Sequence, residues 1–379
     1  MNLPPLSLYI HLPWCERKCP YCDFNSHEAA DIPEAAYVQH LLRDLQDDLP
    51  HVQGRDIASV FIGGGTPSLF SAVAIATLLE GVAQSLHLTG GAEITMEANP
   101  GSAEAAKFSA FRQAGVNRLS LGVQSFDDNC LAALGRVHDR RAALAAVEHA
   151  HAAGFDNLNL DLMHGLPGQT PGGARADLVT AIDCTPTHLS WYQLTIETNT
   201  AFYKRPPTLP QEDSLAAIQA QGEQVLADAG YQQYEVSAYA KPGQRCRHNL
   251  NYWTFGDYLG IGAGAHGKVT QSDGAILRYA KTRLPADYLG SASGEFIARR
   301  RRLPRDELPG EYVMNALRLR QGFSCADFTA RTGLDAARLA GAVAALCERG
   351  LLERDGDVIR ASNLGYRYLD DVTAQFFPG

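Results

Sequence analysis

The chain has 379 residues, 45% hydrophobic and 20% charged, enough to bury a sizeable core and too apolar for a disordered chain. Its 33 basic residues against 42 acidic ones leave a formal charge of −9, which argues against a nucleic-acid binder working through bulk electrostatics. No apolar run approaches the roughly 18 residues of a transmembrane helix. Met1–Leu8 also lacks the basic and apolar regions of a signal peptide, so a cytoplasmic chain with reduced cysteines is expected.

Taken in chain order, β-rich runs at Leu6–Leu12, Ala58–Ile62, Glu93–Ala98, Arg118–Gln124, Asn157–Met163 and His188–Thr195 alternate with helical stretches. The latter are Glu34–Leu49, Ala72–Leu86, Glu104–Ala114, Arg140–Ala153 and Pro171–Asp183; in the first, Asp44, Asp47 and Asp48 fall among leucines at amphipathic helical spacing. Such alternation implies parallel strands joined by helical crossovers, here a partial (β/α)6 barrel, open rather than closed. Polar and glycine residues gather at the strand ends, the face where such barrels do chemistry. A further helix is expected over Asp213–Ala229, then strand character over Tyr231–Ala240, while His248–Gly267, rich in glycine and aromatics, has no legible fold. Arg299–Arg302 with Pro304 and Pro309 reads as a linker. Helical runs at Glu311–Leu319, Cys325–Thr332 and Asp335–Arg349 and a hairpin over Leu351–Ala361, turning at Asp355-Gly356-Asp357, then predict a small winged-helix-like α+β domain. The domain organisation is thus 1–240, 241–298 and 299–379.

Of eight cysteines, Cys15, Cys19 and Cys22 cluster just after the first strand, whereas Cys130, Cys184, Cys246, Cys325 and Cys347 are scattered. Three thiolates in Cys-x3-Cys-x2-Cys spacing suit a polynuclear iron–sulfur centre. A structural zinc needs a fourth ligand, for which only His11 and His27 lie close by. Downstream, Gly63-Gly-Gly-Thr-Pro67 provides backbone that a ligand can approach closely; taken alone it is a tight strand-to-helix turn.

Together, Tyr9-Ile-His-Leu-Pro-Trp-Cys-x3-Cys-x2-Cys and the glycine run resemble the radical S-adenosylmethionine superfamily. The resemblance implies a [4Fe–4S] cluster on Cys15, Cys19 and Cys22, with an open iron that chelates S-adenosylmethionine. One-electron reduction there yields methionine and a 5′-deoxyadenosyl radical. Met96-Glu-Ala-Asn-Pro, Gly122-Val-Gln-Ser-Phe126, Leu134-Gly-Arg-Val-His138, Asn159-Leu-Asp-Leu and His164-Gly-Leu-Pro-Gly-Gln-Thr170 narrow it to the oxygen-independent coproporphyrinogen III oxidase-like family. By that likeness Tyr9, Gly64, Gly65, Thr66, Glu97, Gln124, Arg136 and Asp161 are expected to contact S-adenosylmethionine.

Two branches of that family differ. The oxidase has a fourth cysteine two residues after the third, where this chain has Phe24, and a longer N-terminal arm than the fourteen residues before Cys15. The haem-chaperone branch has a His-Asn-x-x-Tyr-Trp motif, matched by His248-Asn-Leu-Asn-Tyr-Trp253. The resemblance thus implies haem bound near His248, Tyr252 and Trp253. Beyond the resemblance, Cys246 is an alternative soft iron ligand to His248, and Arg245 and Arg247, close by in sequence, are expected to pair with the propionates. A lone histidine beside aromatics is otherwise a packed or hydrogen-bonded residue. The expected partners are haem and haem-accepting proteins, membrane respiratory enzymes among them, and a homodimer is compatible. The alternative is the oxidase itself, decarboxylating porphyrinogen propionates. Gly262-x4-Gly267-Lys268 nearly spells a P-loop, but Val269 stands where Ser or Thr is required.

Overall fold

The computed structural model describes residues 3–378; Met1 and Asn2, at the head of the 1–240 unit, and Gly379, ending the 299–379 unit, lie outside the described residues. Six parallel strands follow the predicted order: β1 (Leu6–Leu12), β2 (Ile57–Gly64), β3 (Leu88–Ala98), β4 (Arg118–Gln124), β5 (Leu158–His164) and β6 (His188–Gln193). The crossovers carry α1 (Glu34–Asp48), α2 (Ala72–Ser85), α3 (Phe108–Gln113), α4 (Arg140–Ala152) and α5 (Pro171–Asp183). Their starts are chemically marked: the side chains of Ser71, Asp139 and Thr170 accept from the backbone N–H groups of Ala74, Ala142 and Gly173, the N-cap bonds that open α2, α4 and α5. The single helix expected over Glu104–Ala114 is interrupted. It is helical at Ser102–Ala105 and resumes at Phe108, and at the break Lys107 turns its ammonium to the carbonyls of Ser68, Leu69 and Phe70.

The sheet is wider than six strands. After α6 (Glu212–Asp228), β7 (Gln232–Glu235) and β8 (Ala238–Ala240) fold back antiparallel beyond β6. The previously illegible stretch supplies α7 (Arg247–Trp253) and β9 (Asp257–Ile261), which pairs parallel with the other side of β1. Antiparallel β10 (His266–Thr270), β11 (Ile276–Lys281) and β12 (Ile297–Arg302) complete an open twelve-stranded mixed sheet. Arg299–Arg302 are therefore edge strand and not linker, and the 298/299 boundary cuts through β12. An arginine-rich edge is a device that discourages further strand pairing.

Side-chain alternation explains where the site lies. Leu6, Leu8, Ile10 and Leu12 of β1 join the core under the helices, while Ser7, Tyr9 and His11 face the other way. The same period places Glu97, Gln124 and Asp161 on the concave side of β3, β4 and β5, against Met96, Val123 and Leu160 in the core. Asp44 and Asp48 correct the simple amphipathic reading of α1: both are buried and bind Lys281 of β11, at 2.5 and 2.9 Å.

The C-terminal part has the expected three helices, α8 (Leu308–Ala316), α9 (Cys325–Thr332) and α10 (Ala340–Glu348). A three-stranded sheet of Phe323–Ser324, Val358–Ala361 and Leu352–Asp355 forms the wing. Its core is not private, for Phe255, in the turn before β9, and Ile276 of β11 pack among Leu308, Tyr312 and Phe328. Among the described residues, no helix is long and apolar enough to cross a membrane.

Candidate functional site

Two adjoining cavities open on the concave face. The smaller, about 370 Å³, brings together Cys15, Cys19 and Cys22 with Gly64, Gly65, Thr66, Glu97, Gln124, Arg136 and Asp161. Cys15 ends a two-residue strand, Trp14–Cys15, that pairs with His27–Glu28 and so closes the cysteine loop. Burial pushes the Cys15 and Cys22 thiols up, so they favour the neutral form until a cation compensates them. Such cations suit soft thiolate ligands. Neither histidine weighed as a fourth ligand lines this cavity. His11 is occupied: its Nε2–H donates to the Asn25 carbonyl at 2.8 Å and its Nδ1 accepts from the Tyr9 hydroxyl at 2.7 Å. Burial lowers it to about 4, keeping it neutral.

Arg136 faces the cluster loop. One guanidinium nitrogen donates to Cys19 Sγ at 3.4 Å and another to Asn99 Oδ1 and the Gly122 carbonyl, at 2.7 and 2.9 Å. Its Nε is buried without a partner. The glycine run is steric: a Cβ on Gly65 would stand 2.4 Å from the Trp14 carbonyl oxygen, and Gly64, at φ +119°, would meet the His11 ring at 2.7 Å. The Gly64 N–H donates to Glu97 at 3.1 Å. Burial, reinforced by the Asp161 carboxylate, raises Glu97 to about 8, so it is largely protonated at neutral pH and able to donate. Asp161 is held by the Ser120 hydroxyl and the Asn159 amide, at 2.9 and 2.8 Å. Gln124, at φ +68°, accepts from the Tyr192 hydroxyl at 2.8 Å. A three-thiol loop, a spare guanidinium N–H and a side-chain-free backbone cradle fit an iron–sulfur cluster with an amino-acid-bearing nucleotide beside it.

Tyr9 lies outside the cysteine cavity and lines the larger one, about 770 Å³, beside Gly64 and Glu97. That cavity is walled by Tyr9, Phe61, Tyr252, Trp253, Phe255 and Tyr258, with His266, Arg278 and Arg283 also on its surface. The two spaces share Phe24, Gly64, Glu97 and Trp253. Tyr252 and Trp253 thus lie where the motif places them, but His248 lines neither cavity. Its buried ring stacks on Phe61 at 4.1 Å and 14°, with Nδ1 3.0 Å from Cys246 Sγ and 3.3 Å from Glu93. Although burial opposes it, bonding to His248 and the charge of Arg118 hold Glu93 at about 2. Burial pushes Cys246 up to about 12, leaving it a neutral thiol. Arg245 and Arg247 are exposed and donate to Gln321 and the Gly91 carbonyl, outside the cavity.

Family models described as "Radical SAM superfamily" and "HemN C-terminal domain" match residues 9–178 and 303–368. A relative from Escherichia coli (strain K12), "Heme chaperone HemW", is 55% identical over 88% of this chain and 88% of its own length. The chain belongs to the HemW family. The HemW of Haemophilus influenzae is 48% identical over 99% of this chain and 98% of its own length. Coproporphyrinogen III oxidase (HemN) from Escherichia coli superposes on this HemW-family chain with a TM-score of 0.83 at 23% identity, covering 99% of this chain and 90% of that one. This likeness concerns the fold. Asn99, one of the polar residues read at the end of the third strand, turns out to hold Arg136; sequence reasoning missed Tyr192, which holds Gln124, and the wall residues Phe61, Tyr258 and His266. The His-Asn-x-x-Tyr-Trp motif and the aromatic content of 248–267 were the hints of the second cavity.

Proposed function

We propose that this chain is a haem chaperone. In this reading it holds a [4Fe–4S] cluster and S-adenosylmethionine in the smaller cavity, receives haem in the larger, and passes it to acceptor haemoproteins without decarboxylating coproporphyrinogen. The observation that carries the reading is the aromatic-walled cavity of about 770 Å³ beside the three-cysteine loop, within the size range of cofactor pockets. Relatives named heme chaperones at 55% and 48% identity support it. So does Phe24, 61% exposed, standing where the oxidase branch has a further cysteine.

Cys15, Cys19 and Cys22 would ligate the cluster, with Arg136 offsetting the thiolate charge. Gly64, Gly65 and Thr66 would receive the amino-acid end of S-adenosylmethionine, and Glu97, Gln124 and Asp161 its polar groups. Once bound, the pair supplies one-electron chemistry on a sulfonium. Tyr252 and Trp253 would cover a porphyrin face. His248 acts from behind, pinning α7 to β2 and β3 through Phe61 and Glu93, so that the two aromatics keep their places.

The test is anaerobic reconstitution with iron and sulfide, followed by haem titration, transfer to an apo-haemoprotein and assay with coproporphyrinogen. Stoichiometric haem uptake and transfer with no protoporphyrinogen formation is expected; robust protoporphyrinogen formation would reject the reading. His248→Ala is expected to weaken haem binding while leaving the Soret position unchanged.

A further inference from the structure

The haem reading leaves the iron without a ligand, because neither His248 nor Cys246 lines the large cavity. An iron-binding atom must come from the wall. Of the two imidazoles there, His11 has both nitrogens engaged. Lys268 and Lys281 are spent on Asp257 and on Asp44 with Asp48. Burial raises the Tyr9 and Tyr252 phenols well above their ordinary value and raises Tyr258 too, which makes each a poor source of phenolate. No cysteine lines the wall.

His266 is different. It opens β10, its side chain is exposed, and among the described residues no hydrogen bond engages its ring. The strand fixes its backbone opposite Ala280, another wall residue. Arg283 lines the same cavity, is exposed, and has Nε 3.2 Å from Asn25 Oδ1, leaving its terminal nitrogens able to meet a carboxylate.

We propose that His266 ligates the haem iron through its ring nitrogen and that Arg283 receives a propionate, while Tyr252 and Trp253 cover the porphyrin. This rests on the haem reading above and goes beyond it by moving iron ligation out of the His-Asn-x-x-Tyr-Trp motif. Partial desolvation where the ring meets the cavity wall, with the neighbouring Arg278 charge, lowers the His266 pKa and so favours the neutral imidazole, the form that binds iron.

The experiment is ferric haem titration of the full chain, followed by Soret absorbance and electron paramagnetic resonance. The set compares wild type, His266→Ala, His266→Gly with added imidazole, and Arg283→Ala. The wild type is expected to show nitrogen ligation. In His266→Ala the Soret band should shift and affinity fall roughly tenfold or more. Imidazole should restore the wild-type spectrum to His266→Gly, and that rescue also shows the variant to be folded. Arg283→Ala should weaken binding of haem but not of haem dimethyl ester, which lacks propionate charge. A His266→Ala complex with the wild-type spectrum and affinity would overturn the assignment of His266 and leave the chaperone reading standing. Equal sensitivity of Arg283→Ala to both porphyrins would overturn the propionate contact. A wild type that takes up no haem would overturn the chaperone reading itself, and the ligand with it.

Discussion

Glu97 shows how one side chain connects strand geometry to charge. It sits near the end of β3, accepts from Gly64, borders both cavities and titrates near 8 instead of in the ordinary carboxylate range, chiefly through burial. Because the folded-state value lies above the unfolded one, the stabilising protonated form is complete below about 4.5 and is lost as pH rises through about 8. The contribution of Glu97 to the stability of the metal-free protein should therefore fall between roughly pH 5 and pH 8.5. Glu97→Gln should flatten that slope by about 1–3 kcal/mol, allowing for solvent screening of a partly open site. Urea midpoints at the two pH values check this, and an unchanged slope would show that Glu97 does not titrate there. Cys19→Ala is expected to abolish cluster incorporation, read as iron and acid-labile sulfide per chain. The residues at this scale were legible where several types had to recur at fixed spacing, as in the cysteine loop and the glycine run. His266 was not legible, because a lone imidazole acquires meaning only from the wall around it.

Elements are held to one another by a few buried polar contacts. Lys281 on β11 binds Asp44 and Asp48 of α1 with all three side chains buried, so removing the cation leaves two carboxylates in a dry interior. Lys281→Met should cost roughly 3–5 kcal/mol, measured by urea denaturation; a cost under about 1 kcal/mol would mean that the carboxylates escape by taking up protons. Gly65→Ala drives a methyl against the Trp14 carbonyl and should lower the melting temperature as well as iron uptake. The strands and crossover helices could be read from the sequence because their apolar residues repeat at periods of 2 and 3.6. The β9–β12 extension could not. Glycines interrupt its period, it buries Lys268 against Asp257 of β9 and Lys281 against the distant Asp44 and Asp48, and its edge is a run of arginines that resembles solvent-facing linker.

At the scale of the molecule, the apolar core of the winged-helix part takes in Phe255, from the turn before β9, and Ile276 of β11, beside the separate core of the large sheet. Arg318, just past α8, lies over Trp253 at 4.2 Å and on the wall of the cysteine cavity. Calorimetry should accordingly show a single unfolding transition, and a chain cut after Arg302 should expose Phe255 and Ile276 and aggregate; two separated transitions would refute this coupling of the two parts. The partition Phe24, Gly64, Glu97 and Trp253 has a consequence of its own. A molecule on one side that displaces a partition residue changes the affinity on the other side, and linkage makes the effect equal in both directions. Loading of the nucleotide and release of the macrocycle would then be two readings of a single free-energy coupling, measurable from either end.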